Sequence, residues 1–246
     1  MKRIILAGIT GRTGSAVAKV IHRLEGFQIV AAIGKNSSGL DIGEILDGKK
    51  NGHYVYPDIE YALEKNYADI YIDFTTPDGV EANAEYAVKK GLDVIIGTTG
   101  LTNEYVERLA ALIKEENRFG IISSNFALGI ATLVEMGNIL KEYFGKEQLQ
   151  IIEKHHKSKL DCPSGTAIYL QQQLGLEENV IVSKRVSLKT SYHEINYASE
   201  IENLSIAYEV TGPEVFGDGV AYVLENMPSE GMYYDLASFM QDVENK

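Results

Sequence analysis

The chain has 246 residues, 45% hydrophobic content, a single Cys and a formal net charge of −12. This acidic balance argues against a nucleic-acid partner, because neutralising phosphates requires basic surface. One Cys excludes a disulfide framework, no signal peptide is recognised, and no apolar run approaches the ~20 residues that span a bilayer, so we expect a cytoplasmic protein with no membrane partner.

The chain opens with a short apolar strand, a glycine turn and an amphipathic helix over residues 4–21. Gly8, Gly11 and Gly14 have the spacing G-x-x-G-x-x-G. Glycines permit the tight turn that lets the backbone approach a pyrophosphate at a helix N-terminus. We predict dinucleotide binding here with Arg12 over the phosphates, although such a turn also serves plain packing.

A second strand, residues 28–33, ends where dinucleotide-binding folds place an acidic residue that binds the adenosine ribose. This chain has Gly34 and Lys35 there instead. No carboxylate repels a 2'-phosphate, and Lys35 can pair with one, so we expect NADPH or NADH with NADPH slightly favoured. The alternative is that Lys35 is merely solvated.

Three further apolar runs, residues 68–74, 93–97 and 120–124, alternate with helical patterns. Continuous apolar runs of this kind indicate a parallel sheet buried on both faces. Ligands bind beyond the carboxyl ends of such strands, so the polar loops at 75–77, 98–100 and 125–126 are predicted to line a site.

Residues 153–167 form a local cationic segment with three Lys and two of the five His, followed by a helix start. Ser164 or Thr166 is expected to cap that helix and leave backbone N–H groups able to bind a carboxylate or phosphate. His155, His156 and Lys159 lie just before it and are candidate proton donors. A solvated basic loop is the alternative; a metal site is not expected, since Cys162 and the two His lack the spaced pairs of a zinc cluster.

Five motifs together resemble, in order and spacing, those of the 4-hydroxy-tetrahydrodipicolinate (dihydrodipicolinate) reductase family. They are Gly8–Gly14, Asp73–Pro77, Val94–Gly100, Ser124–Gly129 and Glu153–Ala167. The last is highly specific. The resemblance implies an enzyme that reduces a cyclic imine dicarboxylate with NADPH or NADH in lysine and diaminopimelate biosynthesis.

By this resemblance His155 is a catalytic proton donor and acceptor, and Lys159 is a catalytic proton donor. The implied substrate-binding residues are His156, Ser164, Gly165 and Thr166. The implied cofactor-binding residues are Gly8, Ile9, Thr10, Gly11, Arg12, Thr13, Gly97, Thr98, Thr99, Ser123, Ser124, Asn125 and Phe126. Lys35, just after the second strand, is a further predicted cofactor-binding residue.

The resemblance also implies the architecture. We expect a Rossmann-type doubly wound parallel sheet domain over residues 1–125, to which residues 215–246 return. Residues 126–214 are expected to form an α+β substrate-binding and oligomerisation domain with a mostly antiparallel or mixed sheet. In the family this sheet builds a homotetramer, for which Tyr192, Tyr197 and Tyr208 are suitable interface residues, although core packing explains them equally well.

The chain departs from the family pattern after Leu174. The long loop before the family's Gly-x-His segment is reduced to residues 182–190, and His193 matches the histidine of that segment without its glycine. Where the family places Ser-Arg, this chain has residues 211–219 with no arginine. None of the assigned catalytic positions is affected.

Three alternatives remain open. One is a reductase of a related cyclic imine dicarboxylate, and another is a non-catalytic NADPH-binding regulator, which would need no His-His-x-x-Lys segment. A short-chain-type reductase needs Tyr-x-x-x-Lys; the pairs Tyr61/Lys65 and Tyr86/Lys90 fall far earlier than its catalytic helix and are taken as chance.

Overall fold

The computed structural model describes residues 1–187 and 190–245, apart from the side chain of Glu178. Within these residues the chain divides into two compact units. The first comprises Met1–Phe126 and the segment from Phe216 onward, and the second comprises Ala127–Val215. Of the shortened loop predicted at residues 182–190, Leu188 and Lys189 lie outside the described residues.

The strands, in chain order, are β1 (Lys2–Ala7), β2 (Phe27–Ile33), β3 (Tyr54–Tyr56), β4 (Ile70–Asp73), β5 (Asp93–Ile96), β6 (Phe119–Ile122), β7 (Leu149–His156), β8 (Ile181–Val186), β9 (Ser191–Ala198), β10 (Asn203–Val210) and β11 (Gly231–Tyr233). The α-helices are α1 (Arg12–Ile21), α2 (Ile42–Leu46), α3 (Ile59–Lys65), α4 (Pro77–Lys89), α5 (Asn103–Glu115), α6 (Leu128–Phe144), α7 (Gly165–Leu174), α8 (Glu214–Asn226) and α9 (Leu236–Glu244). Short 3-10 helices lie at Lys35–Ser37, Lys146–Gln148 and Glu178–Val180.

The first unit is built on a parallel sheet. As far as the chain is described, seven strands pair in the order β11-β6-β5-β4-β1-β2-β3, all of them parallel. Its central strands are almost entirely buried, as continuous apolar runs require when helices cover both faces of a sheet. The predicted Rossmann-type sheet is therefore confirmed. The two edge strands β3 and β11 were not predicted, because each is only three residues long.

The second unit contains a mixed sheet, also as predicted. Over the described residues its strand order is β10-β9-β7-β8. β9 pairs antiparallel with both β7 and β10, whereas β8 pairs parallel with β7. A period-two pattern in residues 180–187, 194–198 and 204–210 suggests an antiparallel sheet, which holds for β9 and β10 but not for β8. Side chains alternate in the same way in parallel and antiparallel pairs, so the pattern does not reveal strand direction.

Two of the three tyrosines considered for an interface are explained by packing within the second unit. Tyr197 is buried and stacks on Phe144, with ring centroids 4.2 Å apart. The ring of Tyr208 lies against Gly129, where a Cβ would be only 2.2 Å from it. Tyr192 instead donates a hydrogen bond to Glu194.

No helix among the described residues is long and apolar enough to span a membrane.

The C-terminal segment is fastened to the first unit at a position that only glycine can occupy. A Cβ on Gly219, in α8, would lie 1.7 Å from the carbonyl oxygen of Phe126. Further along, the N–H of Leu236 donates to Ser123 Oγ at 3.3 Å. The end of the chain thus completes the packing around the loop that follows β6.

We expect Gly219→Ala to destabilise the protein by about 1–3 kcal/mol, because the methyl group meets backbone that cannot move aside. The higher helix propensity of Ala opposes this loss by only about 1 kcal/mol. Urea denaturation measures the difference. The control is Asp218→Ala, which changes an exposed neighbour in the same helix and should alter stability by no more than about 0.5 kcal/mol. Equal stability of both variants would show that α8 is not held in this way.

Candidate active site

The glycine turn of the first unit brings the backbone of β1 and α1 unusually close together. Gly8 has φ +89°, and a Cβ on it would lie 2.3 Å from the carbonyl oxygen of Phe74. A Cβ on Gly14 would lie 2.1 Å from the carbonyl oxygen of Gly8. Gly11 precedes α1 without a side-chain capping bond, and the first turn of α1 has no acidic residue. The positive end of the helix is therefore suited to an anion such as a pyrophosphate.

A cavity of about 290 Å³ lies beside this turn. It is lined by seven predicted cofactor residues, Arg12, Thr13, Gly97, Thr98, Thr99, Ser124 and Phe126, by Thr75 of the polar loop predicted after β4, and by the unpredicted Phe74 and Phe216. The wall is close-packed, since a Cβ on Gly97 would be 2.0 Å from the ring of Phe74. The edge of that ring meets Phe126, with centroids 5.8 Å apart.

The other predicted cofactor residues do not line this cavity. Gly8, Ile9, Thr10 and Gly11 form the turn itself, and Ile9 is fully buried. Lys35 is exposed on the 3-10 helix that follows β2. Ser123 is buried and donates from its Oγ to the carbonyl of Asn125 at 2.8 Å, so it shapes the loop after β6.

A buried carboxylate that the sequence analysis did not single out organises the cavity wall. Asp73, at the end of β4, accepts hydrogen bonds from Thr75 Oγ1 at 2.6 Å and Thr98 Oγ1 at 2.7 Å. It also accepts from the hydroxyl of Tyr71. Burial raises the pKa of Asp73, against the effect of these donors. The network fixes two threonine hydroxyls, one on each of the loops that follow β4 and β5.

In the second unit, β7 carries the predicted histidines. The strand extends through His156, so its side chains alternate between two faces. His155 is buried on the same face as Glu153, whereas His156 is exposed and interacts through Nδ1 with Ser158 Oγ at 2.8 Å. The two rings therefore leave the strand on opposite sides, and the structure groups His155 but not His156 with the buried polar residues.

Glu153 is the centre of this buried group. One carboxylate oxygen is hydrogen-bonded to Nδ1 of His155. The other accepts from Arg185 Nη1 at 2.9 Å and from the N–H of Ser164 at 3.4 Å. Burial alone would raise the pKa of Glu153, but its polar neighbours Ser183, Arg185 and His155 together outweigh burial and hold this pKa below its usual value.

His193, which the sequence analysis related to the family but not to the site, completes the group. Its Nε2 lies 3.2 Å from Ser164 Oγ, and its ring centroid lies 5.2 Å from that of His155 in an edge-to-face arrangement. Burial lowers the pKa of His193 to about 4, and it also lowers the pKa of His155. Both imidazoles are thus disposed to be neutral near pH 7.

The start of α7 follows directly. Ser164 caps the helix by accepting from the N–H of Ala167 at 3.2 Å, as predicted. The carboxylate of Asp161 lies 2.9 Å from Lys159 Nζ, and hydrogen bonds from Lys159 and from the N–H of Gly165 lower its pKa. A carboxylate is therefore already accommodated where an ammonium and the first amide of a helix meet, which is the chemistry expected of a substrate carboxylate site.

Glu153, Arg185 and Asp161 were missed as site residues. Glu153 had a usable signal, since an acidic residue two positions before a histidine in a strand shares its face. Arg185 had none, because its proximity to Glu153 depends on the parallel pairing of β8 with β7.

Comparison with known proteins agrees with this geometry. The family model "Dihydrodipicolinate reductase, N-terminus" matches residues 2–126, and "Dihydrodipicolinate reductase, C-terminus" matches residues 129–240. A 4-hydroxy-tetrahydrodipicolinate reductase from Limosilactobacillus fermentum is 36% identical over 168 residues, which cover 68% of this chain and 63% of that protein. Its counterpart from Methanococcus maripaludis is 29% identical, covering 95% of this chain and 97% of that one. The first of these alignments and others like it thus span slightly less than two thirds of the curated relatives' length.

Among solved structures, a dipicolinate-bound dihydrodipicolinate reductase from Paenisporosarcina sp. TG-14 superimposes with a TM-score of 0.82 at 23% identity, covering 97% of this chain and 99% of that one. A probable dehydrogenase from Thermotoga maritima gives a TM-score of 0.67 at 10% identity, with 98% and 93% covered. At these identities the likeness establishes the fold.

The parallel sheet, the glycine turn before α1 and the separate mixed-sheet unit define a Rossmann-type protein with a second, mixed-sheet unit. With family models matching nearly the whole chain, the assignment becomes specific: the chain belongs to the dihydrodipicolinate reductase family.

The low pKa of His193 predicts a pH-dependent contribution to stability. An unfolded histidine has a pKa of 6.5 and the folded one about 4, so protons bind more readily to the unfolded chain. The stabilisation is present above pH 6.5 and is lost as pH falls from 6.5 towards 4, by about 3 kcal/mol in total. His193→Gln should remove this component, so that its free energy of unfolding falls less than that of the unaltered protein between pH 7 and pH 4.

Urea denaturation at several pH values measures the effect. His22→Gln, at an exposed histidine just after α1, is the control for the loss of an imidazole and should retain the component that His193 contributes. The same slope in the His193 variant would mean that His193 titrates normally in the folded chain.

Proposed function

We propose that this chain is an NAD(P)H-dependent 4-hydroxy-tetrahydrodipicolinate reductase, which produces tetrahydrodipicolinate for lysine and diaminopimelate biosynthesis. The observation that carries the proposal is that the family matches extend over both units and include the glycine turn and the whole segment from Glu153 to Ala167. In the overall reaction the substrate gains a hydride and a proton and loses water.

The residues of the first unit fit a nicotinamide dinucleotide. The uncapped start of α1 and the guanidinium of Arg12 suit a pyrophosphate, and Gly8 and Gly14 leave room for its approach to the backbone. Such a cofactor supplies the hydride when bound. Thr98 and Thr99 line the same cavity, and Asp73 orients the hydroxyl of Thr98.

The residues of the second unit fit a dicarboxylate whose ring takes up a proton. The N–H groups of Gly165 and Thr166 are the proposed carboxylate ligands, and Ser164 and His156 are proposed to contact the substrate nearby. Hydride addition to a conjugated imine leaves negative charge on the ring, which the ammonium of Lys159 stabilises and then quenches by proton donation. His155 is proposed to act as a proton donor and acceptor through its imidazole ring.

The wider proposal follows the family. We infer a cytoplasmic enzyme that acts as a homotetramer on a small-molecule substrate. A related cyclic imine dicarboxylate is the second candidate substrate, because the carboxylate site described above would hold any such molecule.

Lys159→Ala and His155→Gln should each lower kcat by about 10²–10⁴-fold, the usual contribution of a placed acid or base, with NADPH affinity within about twofold of the original. The assay follows NADPH oxidation with the upstream aldol condensation product supplied as substrate. Lys157→Ala removes a neighbouring exposed lysine without an assigned role and should leave turnover unchanged. Full activity in the first two variants would remove the catalytic assignment, and NADPH binding without turnover in the unaltered protein would favour a nucleotide-binding regulator.

Lys35→Ala should weaken NADPH binding by about three- to tenfold and leave NADH binding unchanged, because only NADPH carries the 2'-phosphate that an exposed ammonium can pair with. Titration of both cofactors by fluorescence measures this ratio. Lys114→Ala, at an exposed lysine of α5, controls for the general loss of one positive charge. Equal weakening of both cofactors in the Lys35 variant would contradict the 2'-phosphate contact.

A further inference from the structure

Strand pairing fixes the surroundings of His155 before any ligand arrives. Glu153 and His155 share one face of β7, and His155 is in register with Arg185 of the parallel neighbour β8. Glu153 has no exposed surface, and its two oxygens are divided between His155 Nδ1 on one side and Arg185 and Ser164 on the other. The guanidinium is itself held by a second bond, from Nη2 to the carbonyl of Asp161 at 2.5 Å.

This arrangement dictates which nitrogen of His155 carries the hydrogen. An ionised carboxylate can only accept, so Nδ1 must be the protonated nitrogen and Nε2 is left with the lone pair. Arg185 cannot lose its charge and keeps Glu153 ionised. An imidazole held in this way exchanges protons only through Nε2.

We propose that Glu153 is a positioning residue that fixes His155 as the Nδ1–H tautomer and sets the pH at which its Nε2 takes up a proton, with Arg185 as the counter-charge that holds Glu153. The proposal builds on the reductase function above, because it specifies how His155 is prepared for proton exchange. It also assigns roles to Glu153 and Arg185, both of which act through His155.

Among the residues that the structure describes, four charged or titratable groups face His155, and they act in opposite directions. Glu153 on β7 favours the imidazolium. The other three groups are Arg185 on β8, Lys159 after β7 and the ring of His193 on β9. The positive charges of Arg185 and Lys159 disfavour the imidazolium form of His155. Removal of the negative charge at Glu153 should therefore lower the pH at which His155 titrates, and removal of the positive charge at Arg185 should raise it.

The test is an NMR titration of the histidine rings by long-range ¹H–¹⁵N correlation, on the full-length protein without substrate, with the His155 signals assigned by their absence from His155→Gln. The unaltered protein should give the Nδ1–H pattern for neutral His155. In Glu153→Gln the titration midpoint should move to lower pH by about one to three units, the usual effect of one adjacent opposite charge. In Arg185→Gln it should move to higher pH, by less, because a partly solvated guanidinium is screened.

Lys184→Gln is the matched control. It removes a positive charge from the adjacent position of β8, where the side chain is exposed, and should leave the midpoint unchanged. If Glu153 and Arg185 had a merely structural role, their variants would not shift the titration midpoint of His155 in opposite directions. The Nε2–H pattern in the unaltered protein, or an unchanged midpoint in Glu153→Gln, would overturn the proposal.

If Glu153→Gln does not fold, two measurements still test the proposal. They are the tautomer of His155 in the unaltered protein and the direction in which Arg185→Gln shifts the titration midpoint of His155. A downward or absent shift in Arg185→Gln would then overturn the proposal. The NMR titration does not require an active enzyme. Opposite shifts in a protein that fails to reduce the substrate would refute only the reductase function. Absent shifts in an active enzyme would refute only the role of Glu153.

Discussion

The second unit depends on one buried negative charge, the carboxylate of Glu153. A carboxylate without exposed surface is tolerated only when charged or strongly polar partners replace its hydration. Here the partners are an imidazole from its own strand, a guanidinium from the neighbouring strand and the amide of Ser164, which caps α7. Each partner is held in place because the buried carboxylate needs its hydrogen bond. His155 and the cap residue Ser164 therefore belong to one rigid group.

The first unit also buries a carboxylate beside its candidate site, but with the opposite electrostatic result. Asp73 is surrounded by hydroxyl groups, which do not offset its loss of hydration, and its pKa is raised. Glu153 has the guanidinium of Arg185 as a charged partner, and its pKa is lowered. Asp73 therefore serves to orient Thr75 and Thr98, whereas Glu153 is able to influence the charge of another titratable group.

The sequence predicted what local patterns determine. Continuous apolar runs located the central strands of the first sheet, and Ser164, one of the two residues expected to cap α7, is the cap. The short strands β3 and β11 carry too few residues for a periodic signal. Arg185 and His193 escaped notice as members of the buried group because strand pairing, rather than sequence spacing, brings them to Glu153 and Ser164.

The first unit is completed only by a strand from near the C-terminal end of the chain, β11, which pairs with β6. Gly231 pairs with Phe119, so the outermost strand arrives more than a hundred positions after the strand it joins. During synthesis on the ribosome, a nascent chain released only as far as Phe126 would present β6 as an open edge and lack the contacts of Gly219 and Leu236. Such late closure raises the contact order and slows folding, and it makes an N-terminal fragment prone to aggregate through its unpaired strand.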